Sequence, residues 1–105
     1  MAEQYLTLAE VKELLLKEQS KRILTLEQNY ALEHATKFSK LTAKDARKLV
    51  KELTAIDQVN EPVACKIVDL MPVHKDEIES IFLKERITLE GETVTQILDK
   101  VKEYL

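Results

Sequence analysis

One glycine and two prolines in 105 residues leave this chain almost nothing from which to build tight turns or hairpins. Its 45% apolar and 33% charged residues are what helices with one wet face require. The fold class is therefore all-α. A chain this long buries roughly 65% of the surface its unfolded form exposes, enough for one domain with a real core. Its single cysteine forms no intrachain disulfide. There is no run near eighteen apolar residues and no short apolar leader at the N-terminus, so a soluble, cytoplasmic protein is expected. His34 and His74 stand forty positions apart with no cysteine pair nearby, and neither a metal nor a cofactor is expected.

The N-terminus carries more sticking surface than one domain needs. Thr7 and Glu10 have capping-box spacing, and Leu8, Val11, Leu14 and Leu15 follow at helical period, predicting a helix over about 8–20. Leu14 and Leu16 fall on opposite flanks of the Leu8, Val11 and Leu15 stripe, widening the apolar arc to roughly 200°. Two readings stand: a helix deeply buried in its own domain, or one shared with a partner. Ahead of it, Glu3 to Leu8, EQYLTL, reads as an extended strand. A lone strand in a helical protein has no ladder, so it either frays or adds to a sheet edge in another chain.

A polar linker, Glu18 to Arg22, separates this arm from five further helices expected to form a compact bundle. Thr25 with Gln28 opens one over about 25–39, burying Ala31, Leu32, Ala35 and Phe38. Thr42 with Asp45 opens another to about Ile56, with Ala46, Leu49, Val50 and Leu53 inward. Asn60 caps a short, mostly buried helix that Pro72 ends by disfavouring helical geometry at Met71. His74 is a candidate cap for a helix to about Arg86, and the last helix starts near Glu90 to Glu92 and buries Val94, Ile97, Leu98 and Val101.

Cys65 beside Asp69 invites a catalytic reading, but no histidine lies near enough in sequence to serve as base, and a buried cysteine acting as a small hydrophobe is the ordinary case. Asp69, three residues after Lys66, is placed to pair with it on one helix face. Charge is unevenly spread: residues 1–54 carry ten basic and eight acidic side chains, residues 55–105 six and eleven. The net −3 argues against a chain that grips nucleic acid unaided. The one pattern above background is KFSKLTAKDARKLVK, residues 37–51, where Lys44, Arg47, Lys48 and Lys51 form a stripe opposite the inward residues. It reads either as a solvated face or as a contact for phosphates or an acidic partner.

These segments in order resemble one component of archaeal DNA-directed RNA polymerase, the subunit designated F, which is the counterpart of the fourth subunit of eukaryotic polymerase II. The resemblance rests on Tyr5-Leu6-Thr7, Leu26-Glu27-Gln28, Ala31-Leu32-Glu33-His34-Ala35 and Lys37-Phe38-Ser39-Lys40-Leu41. It continues through Ala46-Arg47-Lys48-Leu49-Val50-Lys51-Glu52-Leu53, Lys66-Ile67-Val68-Asp69-Leu70-Met71-Pro72, Asp76-Glu77-Ile78, Ile81-Phe82, Lys84-Glu85-Arg86 and the closing Ile97-Leu98 and Val101-Lys102-Glu103-Tyr104. It implies a non-catalytic subunit that forms the polymerase stalk as a heterodimer with the subunit designated E, its stalk partner, near the transcript exit. It implies support of promoter opening, initiation and elongation, with RNA contact mainly through the stalk partner. It also implies residues 1–23 as an arm docking on that partner, with Tyr5, Leu6, Leu8, Val11, Leu14, Leu15 and Leu16 at the interface, and residues 24–105 as a helical domain similar to the HRDC domain of helicases. The competing function is a free-standing HRDC-like module that binds nucleic acid through Lys44, Arg47, Lys48 and Lys51.

Overall fold

Four side-chain oxygens start four of the helices, as their spacing predicts. In a computed structural model that describes residues 5–105, Thr7 accepts from the Glu10 N–H, Thr25 from Gln28, Thr42 from Asp45 and Asn60 from Val63. The helices they open are α1 (Leu8–Gln19), α2 (Leu26–Phe38), α3 (Ala43–Thr54) and α4 (Glu61–Leu70), followed by α5 (Lys75–Lys84) and α6 (Gly91–Lys102). Thr7 and Thr25 close full capping boxes with Glu10 and Gln28. His74 holds the cap position of α5, but its side chain makes no capping bond.

Helix ends required left-handed backbone, and the chain's one glycine is at none of them. Met71 takes φ 47° at the end of α4, where Pro72 disfavours the right-handed alternative, and its N–H donates to Ile67 O. Arg86 takes φ 59° after α5. There the Arg86 N–H donates to Leu83 O and the Ile87 N–H to Phe82 O, the paired bonds of a Schellman motif, with Ile87 folded against the core. Gln58, between α3 and α4, takes φ 71°. Its side chain reaches across to the start of α6: Nε2 donates to Thr88 O at 2.6 Å, and Oε1 accepts from Glu90 N–H and from Thr93 Oγ1. Glu90 makes no side-chain capping bond of its own, so Gln58 pins the entry to α6 from outside the helix.

The core lies among α3, α4, α5 and α6. Leu49, Leu53, Ile67, Ile78, Phe82 and Ile97 are fully buried there, each contributing roughly 1.5–3 kcal/mol relative to exposure. Tyr104 folds back on α3, its hydroxyl donating to Glu52. Helix α1 packs on α3 and adds Ala9 to this core, and α2 packs on α1. The residues α2 buries, Leu32 and Ala35, lie outside the core cluster, and the molecule is elongated, 47 × 31 × 21 Å. No helix among the described residues is long and apolar enough to cross a membrane.

Three expectations change. A five-helix bundle with a strand-and-helix arm was expected; the described residues hold six helices and no strand, and α1 belongs to the packed body. Residues 5–7 carry no strand because side chains take their backbone groups: the Thr7 N–H donates to Glu10, and Tyr5 O accepts from Arg47. The Glu3 and Gln4 part of that expected strand lies outside the described residues. Ala31 and Phe38, expected inward on α2, are exposed, since α2 has one principal neighbour and can bury only a narrow stripe. Gln58→Ala should lower stability to urea by about 1–2 kcal/mol, with amide exchange in α6 accelerated more than in α4.

Candidate partner interface

Helix α1 is covered on two sides and open at the edges of its apolar arc. Leu8, Val11 and Leu15 are half-buried, while Leu14 and Leu16 remain 51% and 45% exposed. Ahead of the helix Tyr5 is exposed and Leu6 half-buried. Two adjoining shallow depressions run beside α1 where it faces the start of α3. Leu6 and Leu14 line one, Leu16 and Leu41 the other, and Glu13 and Ala43 line both. Leu6 and Leu14 thus lie in one depression and Leu16 in the other, on opposite edges of the helix, while Leu8, Val11 and Leu15 are turned more toward the protein's own helices.

The pair formed by α1 and α2 also exposes apolar residues that sequence reasoning did not place at a partner surface. Ile23 is 92% exposed in the link, Leu26 67% and Tyr30 62% on α2, and Phe38 is half open beside the His34 ring. Leu26, Tyr30, His34 and Phe38 recur every fourth residue, a row along α2 that could have been found from spacing alone.

The segment entering α1 is held by charge. Arg47 on α3 donates to both Glu10 oxygens, Nε to Oε2 at 2.9 Å and Nη2 to Oε1 at 2.7 Å, a bidentate fork. Its Nη2 also donates to Tyr5 O at 2.6 Å, and Nη1 lies 3.4 Å from Glu61. Burial works against the Glu10 charge, but bonds from Arg47 and Thr7 outweigh it and hold the carboxyl below its ordinary range. Arg47, expected on the basic ridge, is therefore engaged inward; Lys44, Lys48 and Lys51 stay exposed, with no ion pair among the described residues.

Asp69 does not pair with Lys66 as expected. Its Oδ1 accepts the Leu8 N–H at 2.8 Å, and Lys66 pairs with Glu85, the residue that ends α5. Burial raises the Asp69 carboxyl, partly offset by the Leu8 N–H. Cys65 is buried, and burial pushes its thiol up to about 11. A thiolate nucleophile has no support in that setting.

The two carboxylates have opposite pH signatures. Glu10, depressed in the folded chain, contributes stability above its unfolded value of 4.5 that is lost as pH falls through the lower folded value. Glu10→Gln should therefore cost about 1–2 kcal/mol at pH 7 and almost nothing near pH 2, by urea unfolding at both. Asp69, raised, favours folding below its unfolded value of 3.8 and loses that contribution as pH rises through the folded value. Asp69→Asn keeps an acceptor for Leu8 without the charge and should be as stable as the parent, or more so, at pH 7. Cys65 in the native protein should alkylate at least about a hundredfold more slowly at pH 7 than in the unfolded chain, given its raised pKa and burial.

A family model described as RNA polymerase Rpb4 matches residues 5–105. DNA-directed RNA polymerase subunit Rpo4 of Methanocaldococcus jannaschii is 32% identical over 105 residues, covering 100% of this chain and 88% of that one. The resemblance to the archaeal polymerase component is borne out, and the chain belongs to the RNA polymerase Rpb4 family.

Proposed function

We propose that this chain is a non-catalytic, cytoplasmic subunit of archaeal DNA-directed RNA polymerase that forms the stalk as a heterodimer with the second stalk protein, the one designated E. The observation that carries this reading is that Leu14 and Leu16, at the two edges of the apolar arc of α1, are left about half exposed by the helix's own neighbours, with half-buried Leu6 beside Leu14. In this reading residues 1–23 supply the docking surface, with α1 still packed on α2 and α3, and residues 24–105 make up the rest of an HRDC-like helical body. Tyr5, Leu6, Leu14 and Leu16 contact the stalk partner directly. Leu8, Val11 and Leu15 brace the helix that presents them. The exposed row on α2 extends the same surface.

Family membership supports the polymerase as the assembly in which the pair acts, with roles in promoter opening, initiation and elongation, and with transcript contact mainly through the stalk partner. The free-standing nucleic-acid module has weaker support. With Arg47 engaged by Glu10, its ridge is reduced to Lys44, Lys48 and Lys51 on a chain of net charge −3.

Titration of the full chain with the recombinant stalk partner should give a tight one-to-one complex. Leu14→Asp or Leu16→Asp should cost several kcal/mol of association while leaving thermal stability nearly unchanged, because both side chains are already half in water. Undiminished affinity in both variants would place the interface elsewhere.

A further inference from the structure

Two side chains from the body of the protein hold backbone atoms at and ahead of the start of α1. Arg47 Nη2 donates to Tyr5 O across 42 residues, and Asp69 Oδ1 accepts from Leu8 N–H across 61. Helix α1 has no need of the first bond. Its N-cap is Thr7, whose hydroxyl and backbone N–H already close the capping box with Glu10, and Tyr5 lies two residues outside. What the bond to Tyr5 O fixes is the path of the chain before the helix, where no strand pairing exists among the described residues.

The anchor behind that bond is stiff. Both Glu10 oxygens are taken by the Arg47 fork, Glu10 Oε1 also accepts from Thr7 N–H and Thr7 Oγ1, and Thr7 is fully buried. The guanidinium is a planar fork, so holding Glu10 in two bonds sets the direction of the N–H that reaches Tyr5. A lysine could carry the charge but not the geometry.

We infer that Arg47 is a positioning residue for the partner interface: it holds the segment ahead of α1 in the arrangement a partner chain receives. The ordering of that segment is then met on folding instead of on binding, which strengthens association without any contact between Arg47 and the partner. The inference rests on the proposal that this segment and the open edge of α1 dock on the second stalk protein.

The test is calorimetric titration of the recombinant stalk partner into the full chain, with amide exchange on each free variant. Arg47→Gln should bind at least tenfold more weakly, through a less favourable binding entropy. Its amides at residues 5–10 should exchange faster while those of α4 to α6 keep their rates. Arg47→Lys should recover part of the affinity. Lys102→Gln, which removes the same charge from α6, an element whose principal neighbours are α3 and α5, should bind within twofold of the parent. Unchanged affinity in Arg47→Gln overturns the inference, as does exchange that quickens throughout α4 to α6, which would make Arg47 a residue of general stability. If the parent chain does not bind the stalk partner, the proposed function fails; the inference then fails separately if exchange at residues 5–10 is the same in Arg47→Gln as in the parent.

Discussion

Helix α1 has an apolar arc broader than the cover its own molecule supplies, and the rest of the architecture is arranged around that mismatch. One side of the helix must serve the main core, through Ala9; another receives α2; the edges at Leu14 and Leu16 are left over. An amphipathic helix on a single neighbour buries a stripe of about 100°, so a helix with twice that width must sit between two elements or between two molecules. Here it does the first completely enough to be part of the fold and incompletely enough to leave both edges open.

The polar contacts on this helix answer a different need. Apolar packing is non-directional and would let α1 rotate or slide along its contacts. The Arg47 fork on Glu10 and the Asp69 bond to Leu8 N–H fix its rotation and its register at its N-terminal end. A partly buried charge pair is weak evidence for stability as such, and its clearer use is geometric specificity.

What was legible in the sequence was local. The caps at Thr7, Thr25, Thr42 and Asn60 depend on bonds between residues three apart, and the burial of Ala46, Leu49, Val50 and Leu53 follows from period alone, so both could be read without knowing the fold. Arg47 was read with its lysine neighbours because spacing places it on their stripe; nothing local says that a glutamate 37 residues earlier faces it. The same applies to Asp69, matched to the nearby Lys66 when its partner was a backbone amide 61 residues away, and to Gln58, whose three bonds lie 30 or more residues on. Phe38 was placed inward from period without the knowledge that α2 has one principal neighbour. The candidate surface was partly legible, since Leu14 and Leu16 are the excess in the α1 pattern, while the α2 row was there to be read and was missed.

The way α2 is attached has a consequence for how the molecule comes apart. Its two buried side chains lie outside the main core, and its principal neighbour is α1. A helix secured mainly through one neighbour is expected to open at a lower free energy than the body. A binding protein that covered its outer face would be linked to that opening by mass action, closing it in proportion to occupancy. The helix would then report assembly through its own protection, only loosely secured in the solitary chain and locked in the complex.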